Sequence, residues 1–502
     1  MNQFPFLTLL TLVPLVGGAL VLAPGREHGK TVRFMALAIA FLVLALAAAL
    51  SLFFDRTQNG MQFVERAAWA PSLGIQYHLG VDGLGLLMVL LSALVIPFAL
   101  LSSSAPVANP RLYYSLFLFL EAGLFGTFTA QNFVHWFAFW ELSLIPAFFL
   151  IKIWGGPRRT AAAVQFFVYT TAGSVAMLIA FVALYNATGS FEFSQIAETV
   201  RDGRLGRAAL PIFLGVFLGF AVKTPLLPFH TWLPDAYAEA PTGVSMVLTG
   251  AMSKMGVYGF LRVLLPIFPE QMRALQTPLL GLAIATIVFS AAAAFSQNDL
   301  KRIVAYSSIN HLGYCLLGIF VAVQWAEDSA ASANEKAAAL NGAMLQMFNH
   351  GITASALFYF VGLIEQRSGG SRDLHYFGGL RKAAPVFCGL MGITVFASLG
   401  LPGLSGFVGE FLIFKGAFAL APWAASVAAL GLLLTAIFLL TILQRVFSGP
   451  LPENWRAWPD LTNAQRLTAG PIIALIFILG IYPRLLTDLV NPTALAILWP
   501  NL

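Results

Sequence analysis

The chain has 502 residues, 59% of them hydrophobic and only 10% charged, with a formal net charge of +6. A soluble chain carries about 25% charged residues, so a string of soluble globular domains is excluded. The basic residues fall mostly in short loops between apolar segments, which fits membrane insertion and gives no reason to expect a nucleic-acid partner.

A membrane-crossing helix needs roughly 20 mostly apolar residues. That rule predicts an all-α polytopic membrane protein of about fourteen spans: 5–22, 33–54, 84–103, 112–130, 133–151, 162–185, 209–229, 242–265, 277–296, 302–324, 340–364, 384–412, 424–446 and 468–487. The first segment, after MNQFPF, lacks a positive leading region and a small-residue cleavage site, so it is expected to be a span and not a cleaved leader. Two polar breaks set the count. Gln131-Asn132 divides the fourth span from the fifth, and Gln297-Asn298-Asp299 divides the ninth from the tenth. With the N-terminus outside, the odd-numbered loops are cytoplasmic. They hold most of the loop lysines and arginines, among them Lys30, Arg33, Lys152, Arg158, Arg159, Lys301, Arg302, Arg372, Arg381 and Lys382. This bias predicts both termini on the non-cytoplasmic side of the bilayer.

Two spans are interrupted. Pro225, Pro228 and Pro234 follow Lys223 in the seventh, and Gly400, Pro402, Gly403 and Gly406 precede Glu410 in the twelfth. Proline removes a backbone donor and clashes with the preceding turn, so each helix is expected to break. Broken backbone at membrane depth survives only inside protein or against a wet cavity. Breaks in corresponding halves point to inverted repeats with the functional site between them.

The chemistry-bearing residues are the ionisable groups inside these apolar stretches. A charge near the bilayer centre costs at least ~2.5–3.5 kcal/mol, so it is retained when neutralised, paired or used. Glu141, in NFVHWFAFWELSLIPAFFLI, and Lys223 are expected to offset each other and to titrate as a coupled pair. A static pair that fixes helix packing is the bland alternative. Lys254 has no sequence-local partner, and a lysine deprived of solvent can exist neutral and accept a proton. Its bland reading is snorkelling, which its place halfway along the span opposes. His311 and His350 suit a relay, because histidine exchanges protons near physiological pH. Tyr306, Ser307, Ser308, Asn310 and Thr353 are expected to order water beside them. Glu410 follows the second break as an acid counterpart to the lysine beside the first. Glu121 is either a further relay acid or a hydrogen-bonded bundle residue. His135, His230, Asp235 and Glu239 lie near span ends and are expected to be interfacial, Asp235 and Glu239 lining an exit.

No metal site is expected, because neither histidine has a carboxylate or cysteine one helical turn away. Cys315 and Cys388 read as small packing residues. There is no nucleotide-binding glycine fingerprint, no P-loop and no Fe–S cysteine set, so redox chemistry must come from other chains. A purely structural scaffold would explain the helices and leave the buried ionisable row without a purpose.

Several blocks carry a family resemblance. Phe139–Pro146 (FWELSLIP), Lys223–Ala236 (KTPLLPFHTWLPDA), Ser253–Gly259 (SKMGVYG), Asp299–Ser308 (DLKRIVAYSS) and Gly400–Glu410 (GLPGLSGFVGE) resemble the antiporter-like, Mrp-related membrane subunits of complex I. Glu410, where L- and N-type members typically carry lysine, places the likeness with the M-type branch. The resemblance implies four segments: helices one to three in 1–111, a first repeat of helices four to eight in 112–265, a second of helices nine to thirteen in 277–446, and a C-terminal loop and helix fourteen in 447–502. It implies proton translocation in a bacterial inner membrane, driven by quinone reduction elsewhere. Glu141 and Lys223 would be the input pair, Lys254 the central lysine, His311 and His350 the connecting groups and Glu410 the terminal site. NADH, FMN, Fe–S clusters and quinone are expected in partner subunits, with L-type and N-type members as neighbours. Alternatives of the same fold are a Mrp-type cation/proton antiporter and a ferredoxin- or hydrogenase-linked complex. The polar insert Ala326–Lys336 departs from the family pattern and is expected outside the membrane.

Overall fold

A computed structural model describes residues 4–25, 28–103, 107–323 and 330–499. The chain is a helical bundle whose helices, in order, are α1 (Phe6–Val21), α2 (Gly29–Phe53), α3 (Gly83–Ser102), α4 (Pro110–Thr129), α5 (Phe133–Trp154), α6 (Arg159–Thr188), α7 (Phe193–Arg201), α8 (Ala209–Lys223), α9 (Trp232–Glu239) and α10 (Thr242–Ile267). They continue as α11 (Gln276–Phe295), α12 (Leu300–Ala322), α13 (Ala330–Arg367), α14 (Pro385–Ser398), α15 (Ser405–Leu420), α16 (Pro422–Phe447), α17 (Asn463–Ile481) and α18 (Arg484–Leu498). Among the described residues, 12 helices are long and apolar enough to cross a membrane, and α1 and α14 are shorter apolar helices. Each of the predicted spans coincides with one of these.

The polar breaks work as helix caps. Asn132 accepts from the His135 backbone N–H at 2.9 Å and starts α5, and Asp299 accepts from that of Arg302 at 3.1 Å and starts α12. A cap of this kind satisfies a donor that the first helical turn cannot. The interrupted spans break where the prolines and glycines stand. Helix α8 ends at Lys223, and α9 resumes at Trp232. Helix α14 ends at Ser398, and α15 starts at Ser405 after a turn in which Gly400 takes φ 72°.

Burial sorts the helices into a centre and a rim. All of the apolar stretch of α10 is buried, against 28% of that of α2. Phe34, Leu52, Ile179, Leu467 and Ile481 stand on the outer face, where lipid tails take the place of a protein core. The ionisable residues ride on the central helices.

Several expectations need correction. The twelfth span runs on to Leu420, beyond the predicted edge at 412. Within the insert between the tenth and eleventh spans, for which no structure was predicted, Ala330 onward forms the first turns of α13, because this run is rich in alanine, the strongest helix former. Glu335 there pairs with Lys415 at 2.6 Å. Residues 326–329 lie outside the described residues. Three elements were not anticipated. A hairpin of β1 (Gln62–Ala70) and β2 (Ile75–Val81) fills the second loop, with Gly74 at φ 68° at its turn. Helix α7 is short and amphipathic, and α18 follows α17 after a break at Tyr482-Pro483.

Candidate proton-transfer row

Helix α10 is not uniformly α-helical. Leu248–Met252 and Phe260–Leu264 are π-helical, and Lys254 stands between them, fully buried. Its Nζ donates to the Thr249 carbonyl, lies 3.4 Å from the Ser253 hydroxyl and 2.8 Å from His350 Nδ1. The ring of His350 stands 5.1 Å from that of His311. His311 Nδ1 is 3.1 Å from Glu410 Oε1, and its Nε2 is 3.2 Å from the Ser398 hydroxyl. Lys254, His350, His311 and Glu410 thus form one contiguous row across α10, α13, α12 and α15, with all four side chains buried.

Close packing makes the last contact possible. A Cβ on Gly409 would sit 2.9 Å from the Gln346 backbone nitrogen, so only glycine lets α15 approach α13 this closely. Gln346 then donates to Glu410 Oε1 at 3.1 Å and lies 3.3 Å from His311 Nδ1. Gly400, in its left-handed conformation, sits against the other carboxylate oxygen: a Cβ there would come within 2.6 Å of Glu410 Oε2.

The first half is different. Lys223 is 2% exposed, and its Nζ has no hydrogen-bond partner among the described residues. It stands 5.0 Å from the centroid of the Trp140 ring, a cation–π arrangement. Glu141, next along α5, makes no ion pair with it among the described residues. Glu141 Oε1 is buried without a partner, as are both carboxylate oxygens of Glu121 on α4. A cavity of about 10 Å³, bounded by Lys223, Tyr237 and Ser253, lies between Lys223 and α10. That is roughly the space of one water molecule.

Of the residues expected to order water, Ser308 joins the row: its hydroxyl is 3.0 Å from that of Thr249. Asn310 instead donates to the Ile287 carbonyl, and Thr353 to its own helix at Asn349. Gln346, Ser398 and Thr249 were missed. A usable signal existed for Gln346, which precedes His350 by four residues and so shares its helix face.

Two further corrections concern span ends. His135, expected at the interface, is 1% exposed, stacked against Phe139 at 4.6 Å, with neither ring nitrogen partnered among the described residues. Glu239 and Lys301 are also buried, at 3% and 2%. They belong to an ionic cluster at the end of the bundle that carries the odd-numbered loops. Lys301 pairs with Glu365 at 2.7 Å, Arg372 with Asp299 at 2.9 Å, and Arg302 with Asp235. Glu239, Lys301, Glu365 and Arg372 line a cavity of about 730 Å³ there.

A multi-pass membrane protein with broken helices around a buried acid–lysine–histidine row is an antiporter-like membrane subunit in architecture. Residues 130–437 match the family described as NADH:quinone oxidoreductase/Mrp antiporter, TM, and the chain belongs to that family. It is 38% identical to NADH-quinone oxidoreductase subunit M of Rhodobacter capsulatus, over 97% of this chain and 95% of that protein. A chain in the structure of respiratory complex I from Thermus thermophilus with bound NADH superposes with a TM-score of 0.85 at 30% identity, covering 98% of this chain and 99% of that one. A chain of the Mrp complex from Dietzia sp. DQ12-45-1b has the same fold, with a TM-score of 0.86 at 22% identity over 99% and 97% of the two chains.

Proposed function

We propose that the chain is the M-type, proton-translocating membrane subunit of a respiratory complex I. The observation that carries this reading is the contiguous Lys254–His350–His311–Glu410 row inside the bundle. Each member can hold or release a proton, and neighbours in contact titrate as a coupled set. The likeness to subunit M over nearly the whole of both chains supports the same reading, whereas the Mrp likeness extends to the fold alone.

In this reading the subunit does no redox chemistry. NADH, FMN, Fe–S clusters and quinone belong to partner subunits, and quinone reduction there drives the charge movements here. Glu141 and Lys223 form the input pair, which changes charge when the neighbouring subunit does. Lys254 then gains or loses its proton, His350 and His311 pass it on, and Glu410 is the last site before release. Helices α4 to α10 form the first repeat and α11 to α16 the second, related by inversion. L-type and N-type subunits flank the chain in a bacterial inner membrane, both termini outside.

His311→Leu removes the group that lies between His350 and Glu410. In membranes with matched complex content, protons pumped per quinone reduced are expected to fall sharply. Unchanged pumping in the assembled variant would refute the row as the path.

A further inference from the structure

At the end of the bundle opposite the ionic cluster, a cavity of about 430 Å³ reaches inward as far as Arg262 and Asp82. Its walls come from the even-numbered loops, the start of α3, the end of α10 and the last helix, including Met61, Arg201, Glu270 and Ile497. Arg262 and Asp82 are paired, and their side chains are 9% and 8% exposed. Asp82 is itself fixed: it caps α3 by accepting from the Gly85 backbone N–H at 2.9 Å. Behind the pair lies one polar group. Arg262 Nε donates to the Tyr258 hydroxyl at 3.1 Å, and that hydroxyl donates to the Phe128 carbonyl at 2.9 Å. Tyr258 is fully buried and lies four residues after Lys254 on an α-helical turn, so the two share a face with Cβ atoms about 5–6 Å apart. Arg262 and Tyr258 thus lie along α10 between this cavity and Lys254.

We propose that the Asp82–Arg262 pair is the outward seal of the first half, closing a polar route past Tyr258 between Lys254 and the outer face. An arginine does not give up its proton in proteins, so it cannot relay one. A guanidinium fixed at a constriction also repels protons and cations, as in other selective pores. Asp82 holds that charge in place and offsets its burial. With the pair intact, a proton on Lys254 leaves through the histidines. With it broken, water reaches Tyr258 and the row is shunted.

The inference rests on Lys254 as a proton site, and the test separates the two. The intact complex is reconstituted in sealed proteoliposomes, and the collapse of an imposed pH gradient is followed without NADH. Asp82→Asn keeps a capping acceptor and removes the charge. It is expected to raise the leak several-fold and lower the protons pumped per quinone reduced. Arg262→Gln is expected to do the same, and Arg262→Lys to leak as well, because a buried lysine can give up its proton. Tyr258→Phe added to Asp82→Asn should abolish the extra leak, because it removes the hydroxyl behind Arg262. Lys254→Ala added to Asp82→Asn should abolish it as well. A leak that survives Lys254→Ala but not Tyr258→Phe would keep the seal and overturn Lys254 as the proton site. Tight liposomes with normal pumping in both single variants, a leak indifferent to Tyr258, or failure of both variants to assemble would overturn the seal and leave the pair a staple between α3 and α10.

Discussion

The two halves of the bundle hold their charges in opposite ways. In the second half, Glu410 has a histidine and an amide on one oxygen, and His311 has a partner on each ring nitrogen. In the first half, Lys223, Glu141 and Glu121 each keep a buried polar atom with no hydrogen-bond partner among the described residues. A buried polar group left unsatisfied costs about 1–3 kcal/mol, more when charged. A small shift of charge at Lys223 or Glu121 therefore meets no hydrogen bond to break, whereas one at His311 or Glu410 does. Lys254 stands where the two meet.

The comparison can be broken most severely at its trigger. Glu141→Ala is expected to abolish most proton pumping and coupled quinone reduction while the complex still assembles, and near-normal pumping would refute the gating role. Next comes the junction. Lys254→Arg should be nearly as damaging as Lys254→Ala, because arginine stays charged. Full activity in the arginine variant would mean that a fixed positive charge suffices. At Glu410 the effect is expected to depend on the replacement. Glu410→Gln cannot ionise and should cut pumping severely, whereas Glu410→Lys should retain part of it. The lysine would face the His311 ring and the Gln346 side chain, which can present its carbonyl oxygen after an amide flip. Equal pumping from both variants would remove Glu410 from the path.

The smallest effect lies outside the membrane. Burial alone would push Asp460 up, but the backbone N–H groups of Val386, Leu461 and Phe387, together with Arg466, hold it below the usual carboxylate range. A carboxyl lowered on folding adds stability above its unfolded pKa and loses it as pH falls through the folded value. Asp460→Asn should therefore leave pumping intact and flatten the acid side of the complex's thermal-stability profile. An unchanged profile would show that the contact adds nothing.

Much of the fold was legible because membrane burial imposes a strong local pattern. The polar breaks at Asn132 and Asp299 could be read because a cap must interrupt an apolar run. The hairpin could not, since Gln62–Ala70 is mixed in polarity and depends on its pairing with Ile75–Val81. The titratable members of the row announced themselves by their cost at membrane depth. Of their positioning groups, Gln346 could have been read from its spacing to His350, whereas Ser398 is an ordinary polar residue until α12 and α14 bring it to His311. Lys301 was placed in a loop because its partner Glu365 is 64 residues away in the chain, and only the fold brings them together.

The π-helical turns on either side of Lys254 give α10 slack. Each lodges one surplus residue in a turn, and successive residues of a regular helix are about 100° apart around the axis. Handing that surplus from one turn to the next exchanges backbone hydrogen bonds one at a time and leaves the ends of the helix where they are. The residues in between then swivel. Such a movement would swing Lys254 about the axis of α10 and break its contact with His350 without shifting either end of the helix.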